Sequence, residues 1–197
     1  MRSSERGSEI AIVAAFTRMV RRSILAALCV LAGLAGPAHA STTAPAAPAM
    51  VEVGSALPNV LMLGLNGPHR PLSSYRGRPL IINVWASWCS PCRKEAASLE
   101  RLAWSEAGGA YTVIGISTDD DRNAALKWLG QSNATLNHYI DTAPRWTLEN
   151  LLGASSIPLT VLVDAHGRVV ARFRGARDWS TAESIRLIEH AYSGKKP

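Results

Sequence analysis

Residues 85–92 read Trp85-Ala86-Ser87-Trp88-Cys89-Ser90-Pro91-Cys92, placing two thiols two residues apart just beyond the apolar run Leu80-Ile81-Ile82. Such a pair serves as half of a metal site, as a structural staple, or as two sulfurs that exchange electrons. The flanking sequence helps to separate these uses. Leu80 to Trp85 is apolar except for Asn83, as a strand covered on both faces is. Beyond the pair, Cys92, Ala96, Leu99 and Ala103 recur at helical spacings of four, three and four, and Pro91 suits a first helical turn, where its missing N–H costs nothing.

The chain has only three cysteines, and the third, Cys29, lies in a segment with the marks of a secretory signal. Met19-Val20-Arg21-Arg22 is basic, Ser23 to Leu34 is apolar, and Ala38-His39-Ala40 offers a small-x-small cleavage site, so residues 1–40 are expected to be removed after Ala40. Met19 is expected to be the true start, because Glu5 and Glu9 are foreign to a signal's basic region. An uncleaved signal would instead tether the protein to a membrane. Loss of residues 1–40 leaves 16 Lys/Arg against 13 Asp/Glu, a formal +3 in place of +6. That surplus forms no basic stripe, so a nucleic-acid role is excluded and Lys195-Lys196 reads as a solvated tail. Residues 41–50 are an uncharged Ala/Pro-rich spacer, and residues 51–197 fit one domain.

Within that domain Tyr111 to Ser117 is a second buried strand. Asp119-Asp120-Asp121 caps a helix from Arg122 to Gly130, Leu136 to Ile140 is a short strand, and Arg145 to Leu152 is a helix stopped by Gly153. Leu159 to Val163 and Val169 to Phe173 form a hairpin, and Ser180-Thr181-Ala182-Glu183 is a capping box opening a last helix to about Tyr192. The fold class is therefore α/β with a mixed sheet whose last pair is antiparallel.

A structural zinc site needs four ligands. The processed chain supplies one cysteine pair and the scattered His69, His138, His166 and His190, each expected to be a surface or internally satisfied histidine. A disulfide closing a two-residue loop removes little chain entropy and makes a poor staple. Redox chemistry remains. Cys89 precedes the helix, where unpaired N–H groups and the positive dipole end favour a thiolate, and Cys92 sits one turn inside. The exposed Cys89 sulfur is expected to attack and the buried Cys92 to resolve, with Trp88 shielding one side.

Trp85 to Arg93 resembles the active-site strand and helix of the thioredoxin superfamily, and Ser155-Ser156-Ile157-Pro158-Leu159-Thr160 resembles its cis-proline loop. The similarity spans about residues 51–195 and is greatest to the exported TlpA-like branch, which includes the ResA and CcmG reductants of cytochrome c maturation. Val53-Gly54-Ser55-Ala56-Leu57-Pro58, Tyr75-Arg76-Gly77-Arg78-Pro79 and the extra segment Gln131 to Arg145 point to that branch. The resemblance implies a thioredoxin-like fold, a mixed central sheet flanked by helices, with an N-terminal extension and an insert before the cis-proline loop. It implies Cys89 as nucleophile, Cys92 as resolving thiol, Glu95 as the nearby acid, and Trp88, Ile157 and Pro158 as the substrate-binding surface. Asn83 stands where cytoplasmic thioredoxins carry a buried Asp, leaving Glu95 as the local base, and Ala97 replaces a proline common in the branch.

The expected function is a periplasmic protein-disulfide reductant that works as a monomer. Its Cys89–Cys92 disulfide is the redox centre, with no other cofactor or metal. Disulfide-bearing exported proteins such as apocytochrome c are its substrates, and a membrane thiol donor recharges it. The pair Ser90-Pro91 tunes the potential without revealing its direction, so a disulfide oxidase or isomerase is the alternative reading, followed by a Cu(I)-binding thiol chaperone.

Overall fold

The computed structural model describes residues 49–142 and 147–194. The expected signal, its cleavage point, most of the spacer and Arg145 lie outside the described residues. Among the described residues no helix is long and apolar enough to cross a membrane.

Seven strands form one mixed sheet in the order β2-β1-β5-β4-β3-β6-β7. They are β1 (Leu61–Gly64), β2 (Arg70–Pro71), β3 (Leu80–Trp85), β4 (Thr112–Ser117), β5 (Asn137–Ile140), β6 (Leu159–Val163) and β7 (Val169–Arg174). β3, β4 and β5 run parallel, while β6 lies antiparallel to β3 and β7 to β6. Every residue of β3 is buried, Asn83 included, as a run apolar at all its other positions requires of a central strand. Among the described residues four α-helices flank the sheet: α1 (Ser90–Trp104), α2 (Arg122–Ser132), α3 (Thr147–Leu152) and α4 (Ala182–Tyr192).

Side chains alternate across β3 and divide the core. Ile81 packs with Leu99 and Leu102 of α1, Ile188 of α4 and the fully buried Trp179. Trp85, on the same side of the strand, joins Cys89, Cys92, Ala125 and Leu129 of α2, and Ile140 of β5. Ile82 and Val84 face the other way, toward Leu148, Leu151 and Leu152 of α3. β3 is thus held from both faces, which fixes the strand end that launches the cysteine loop.

Two expected caps shift by residues. Asp121 alone caps α2, its carboxylate accepting from Asn123 N at 2.8 Å, whereas Asp119 turns back toward the cysteine loop. In the last helix Thr181, not Ser180, is the cap, accepting from Ser184 N at 3.2 Å. The Ser180 hydroxyl bonds Asp178 instead, and Glu183 lies 3.9 Å from Arg177. The β1–β2 hairpin carries no periodic signal, since β2 is two exposed residues long.

Behind α1 the chain turns so tightly that a Cβ on Gly108 would stand 1.9 Å from the carbonyl oxygen of Leu102 and 2.7 Å from that of Ala103. Backbone cannot yield as a flexible side chain does. Gly108→Ala should therefore cost about 1–3 kcal/mol in urea unfolding while leaving the reduction potential unchanged. An unaltered midpoint would show that the turn relaxes freely.

Candidate active site

β3 ends at Trp85, and the next three residues are fastened before the helix begins. Asp119, only 2% exposed, accepts from Ser87 Oγ at 2.7 Å through one oxygen, and through the other from Ser87 N at 2.9 Å and the Ser117 hydroxyl at 2.7 Å. This clamp ties the cysteine loop to the end of β4. Cys89 is then the N-cap residue of α1, with extended backbone, and its Sγ accepts from Cys92 N at 3.2 Å. Pro91 occupies the first turn, and no acidic residue stands there to oppose the helix dipole.

Cys89 and Cys92 are joined in a disulfide, their Cα atoms 5.3 Å apart. In this oxidised state both are covered, Cys89 at 5% exposure and Cys92 at 1%, so the expected contrast between an exposed and a buried sulfur is small. Both cysteines are packed within the cluster around Trp85. Trp88 is 70% exposed beside Cys89, so it is no ordinary core aromatic. The Ile157–Pro158 bond is cis; Pro158 is buried, and Ile157 packs against the cluster that holds both cysteines.

Glu95 lies one helical turn beyond Cys92, inside the protein at 3% exposure, which excludes a solvated helix-face acid. One carboxylate oxygen accepts from Asn83 Nδ2 at 2.7 Å and Trp179 Nε1 at 3.2 Å, and the other from Arg177 N at 3.0 Å. Asn83 also donates to Thr160 Oγ1 at 3.2 Å, so the amide fixes the acid to β3 and β6. Burial raises the Glu95 pKa above its ordinary value, with the bonds from Arg177, Trp179, Asn83 and Thr160 pulling down. Sequence reasoning located Glu95 but not its cage, because Arg177 and Trp179 lie more than eighty positions away and carry no motif.

The histidines divide. His69 Nδ1 accepts from Gly64 N at 2.9 Å and is satisfied, as expected. His138 departs from the expectation: it is buried in β5, and its Nδ1 has no hydrogen-bond partner. Among the described residues no group of three or more His, Cys, Asp or Glu side chains is arranged to hold a metal ion.

Chemically, a disulfide at a helix N-terminus accepts two electrons and two protons in its reduction, and reversal delivers them to another disulfide. The capping N–H and the dipole stabilise a Cys89 thiolate, while a thiol at Cys92, in apolar surroundings, yields its proton reluctantly. Glu95 is the nearest buried acid along α1.

Residues 52–186 match the Redoxin family. A Pseudomonas aeruginosa protein named thiol:disulfide interchange protein DsbE is 34% identical over 128 residues, covering 64% of this chain and 68% of its own. The Vibrio cholerae protein of the same name is 31% identical, covering 79% of this chain and 86% of its own. The thiol-disulfide oxidoreductase ResA of Geobacillus thermodenitrificans is 26% identical over 60% of this chain and 67% of its own. Among solved structures, the thioredoxin domain of a Bacteroides vulgatus thiol-disulfide oxidoreductase superposes with a TM-score of 0.58 at 22% identity, covering 71% of this chain and 96% of that one. That likeness establishes the thioredoxin-like fold.

If Glu95 takes the Cys92 proton, the step that resolves a mixed disulfide should slow as pH falls through the carboxyl's raised pKa, because only the carboxylate is a base. Glu95→Gln should lower that rate by about 10²-fold at neutral pH and flatten its acid limb, leaving the initial attack by Cys89 nearly intact. Stopped-flow kinetics on a peptide disulfide separate the two steps. An unchanged acid limb in the variant would remove Glu95 from proton transfer.

Proposed function

The chain belongs to the Redoxin family, and on that premise we propose that it is an exported protein-disulfide reductant of the DsbE/ResA type, acting in the periplasm through Cys89 and Cys92. The observation that carries this reading is the disulfide at the N-terminus of α1 with a buried carboxylate one turn behind it. In the working direction the Cys89 thiolate attacks a substrate disulfide. One substrate sulfur leaves as a thiol, and a mixed disulfide forms. Cys92 then loses its proton toward Glu95 and attacks Cys89 Sγ, releasing the second substrate thiol and closing the Cys89–Cys92 bond. Two electrons pass to the substrate, and a membrane thiol donor returns them to this pair.

Two opposed electrostatic effects set the direction. Stabilising the Cys89 thiolate at the helix end favours the reduced form and makes a pair oxidising. A second negative charge near the buried Glu95 disfavours the thiolate and protects the disulfide form, which makes the pair reducing. The names of the relatives, interchange protein and oxidoreductase, are compatible with either sense. We read the carboxylate as tipping the balance toward the reductant, since its buried charge disfavours the thiolate of the reduced pair. Exposed Trp88 and the Ile157–Pro158 loop would flank the polypeptide, and apocytochrome c, with its closely spaced cysteines, is the substrate class proposed. The redox disulfide serves in place of any resident cofactor.

The test is reduction of a peptide bearing an intramolecular CxxC disulfide by the pre-reduced protein. Wild type should release the dithiol peptide. Cys92→Ser should stop at a one-to-one mixed disulfide through Cys89, and Cys89→Ser should do nothing. Turnover by Cys89→Ser would overturn the assigned roles.

A further inference from the structure

Trp179 stands in the turn that leads from β7 into α4 and is fully buried. Its ring packs among Ile81 of β3, Leu99 and Leu102 of α1 and Ile188 of α4. Packing alone asks only for an apolar ring. What the indole adds is one polar atom, and Nε1 donates to Glu95 Oε1 at 3.2 Å, across 84 positions of the chain.

The indole is held in that pose from several directions. Trp179 N donates to Ser98 Oγ at 3.0 Å, and Ser98 Oγ donates to the Glu95 carbonyl oxygen at 2.7 Å, so one hydroxyl ties the backbones of both partners together. Phe173 of β7 meets the ring edge to face, 71° apart with centroids at 5.6 Å. The Arg177 guanidinium lies over the ring, 5.9 Å from its centroid.

An indole N–H donates and never accepts, so its bond strengthens when the carboxyl is ionised. Oε1 takes this bond together with the one from Asn83 Nδ2 at 2.7 Å, and two converging donors fix the plane of the carboxylate as well as its charge. Burial raises the Glu95 pKa, and the bond from Trp179 is among those that pull it down. On the strands the neighbours, Asn83 and Thr160, are neutral, and the Cys89–Cys92 pair carries no charge as a disulfide. Lys94 and Arg101 of α1, with Arg177 and Asp178 of the turn, line an open pocket of about 260 Å³ against which Glu95 stands. Arg101 pairs with Asp178 at 3.3 Å, and Arg177 lies 3.9 Å from Glu183 of α4. Those charges are on the solvent side, whereas Trp179 acts on the carboxylate by direct contact inside the protein.

We propose that Trp179 is a positioning residue for the resolving step, its indole N–H holding the Glu95 carboxylate ionised and in one orientation to receive the Cys92 proton. The inference rests on the reading of Glu95 as the base in that step. The Cys92 S–H bond breaks and a Glu95 O–H bond forms as the Cys92 sulfur attacks Cys89 Sγ; Trp179 neither takes nor gives a proton.

The test deletes the N–H and keeps a ring. In Trp179→Phe the pKa of the Glu95 carboxyl, followed by ¹³C NMR of the oxidised full-length protein, should rise by about one unit, the equivalent of one hydrogen bond to a charge. Loss of a donor favours the protonated acid, so the acid limb of the resolving step, read by stopped flow on the reduced protein, should move up in pH by the same amount. At a fixed pH on that limb the step should slow about tenfold. Added to Glu95→Gln, which lacks the titrating group, Trp179→Phe should produce no such displacement. Where the phenylalanine variant fails to fold, 3-benzothienylalanine at position 179 keeps the bicyclic shape with sulfur in place of N–H and should give the same two shifts. A Glu95 pKa that stays in place, or a rate lowered evenly at every pH with its limb unmoved, would overturn the proposal and leave Trp179 a packing residue. A pKa that rises while the limb stays would overturn it together with the base role of Glu95. The reductant reading fails separately, as wild type leaving the peptide disulfide unreduced.

Discussion

The hydrogen bond from Cys92 N to Cys89 Sγ, 3.2 Å long, is the contact on which the redox site depends. It exists because a helix must begin where β3 has just ended, and the first N–H groups of that helix have no partner within it. A cysteine in the capping position fills this need with sulfur where a hydroxyl or carboxylate usually serves. The same N–H group that completes the helix therefore bears on the charge of the Cys89 sulfur. Everything upstream serves to hold that position: β3 buried on both faces, and the Ser87 loop clamped by a carboxylate at the end of the neighbouring strand.

Glu95 supplies the counterweight. Burying a carboxylate is costly unless hydrogen bonds replace its water, and here three donors, an amide, an indole and a backbone N–H, make that replacement. They come from β3 and from the segment leading into α4, so the acid is fixed by parts of the chain that meet only in the finished fold. Its pKa remains raised despite them, which marks desolvation as the stronger effect. A group held this way destabilises neighbouring negative charge, and so opposes the capping N–H at the other end of the same helical turn.

The sequence disclosed β3, α1, β4 and the β6–β7 hairpin to within a residue or so, because each is written in local periodicity or in turn chemistry. It also showed which side chains to watch near the pair. What it concealed is long-range pairing. Asp119 reads as one of three capping acids, yet it reaches across to Ser87, 32 positions earlier. His138 reads as an unremarkable histidine, and only the descent of two rings onto Gly115 shows that its Nδ1 is stranded. Nor could local pattern reveal that in the disulfide form both cysteines are covered almost equally.

The central claim, that the buried carboxylate outweighs the helix-end stabilisation and makes the pair a reductant, is tested most directly by its reduction potential. Equilibration of the full-length protein with defined glutathione mixtures, followed by the fluorescence of the tryptophans near the pair, gives that value. The account predicts a potential below about −180 mV, toward the thioredoxin end near −270 mV. A value well above −180 mV, approaching the strong oxidants near −120 mV, would contradict it.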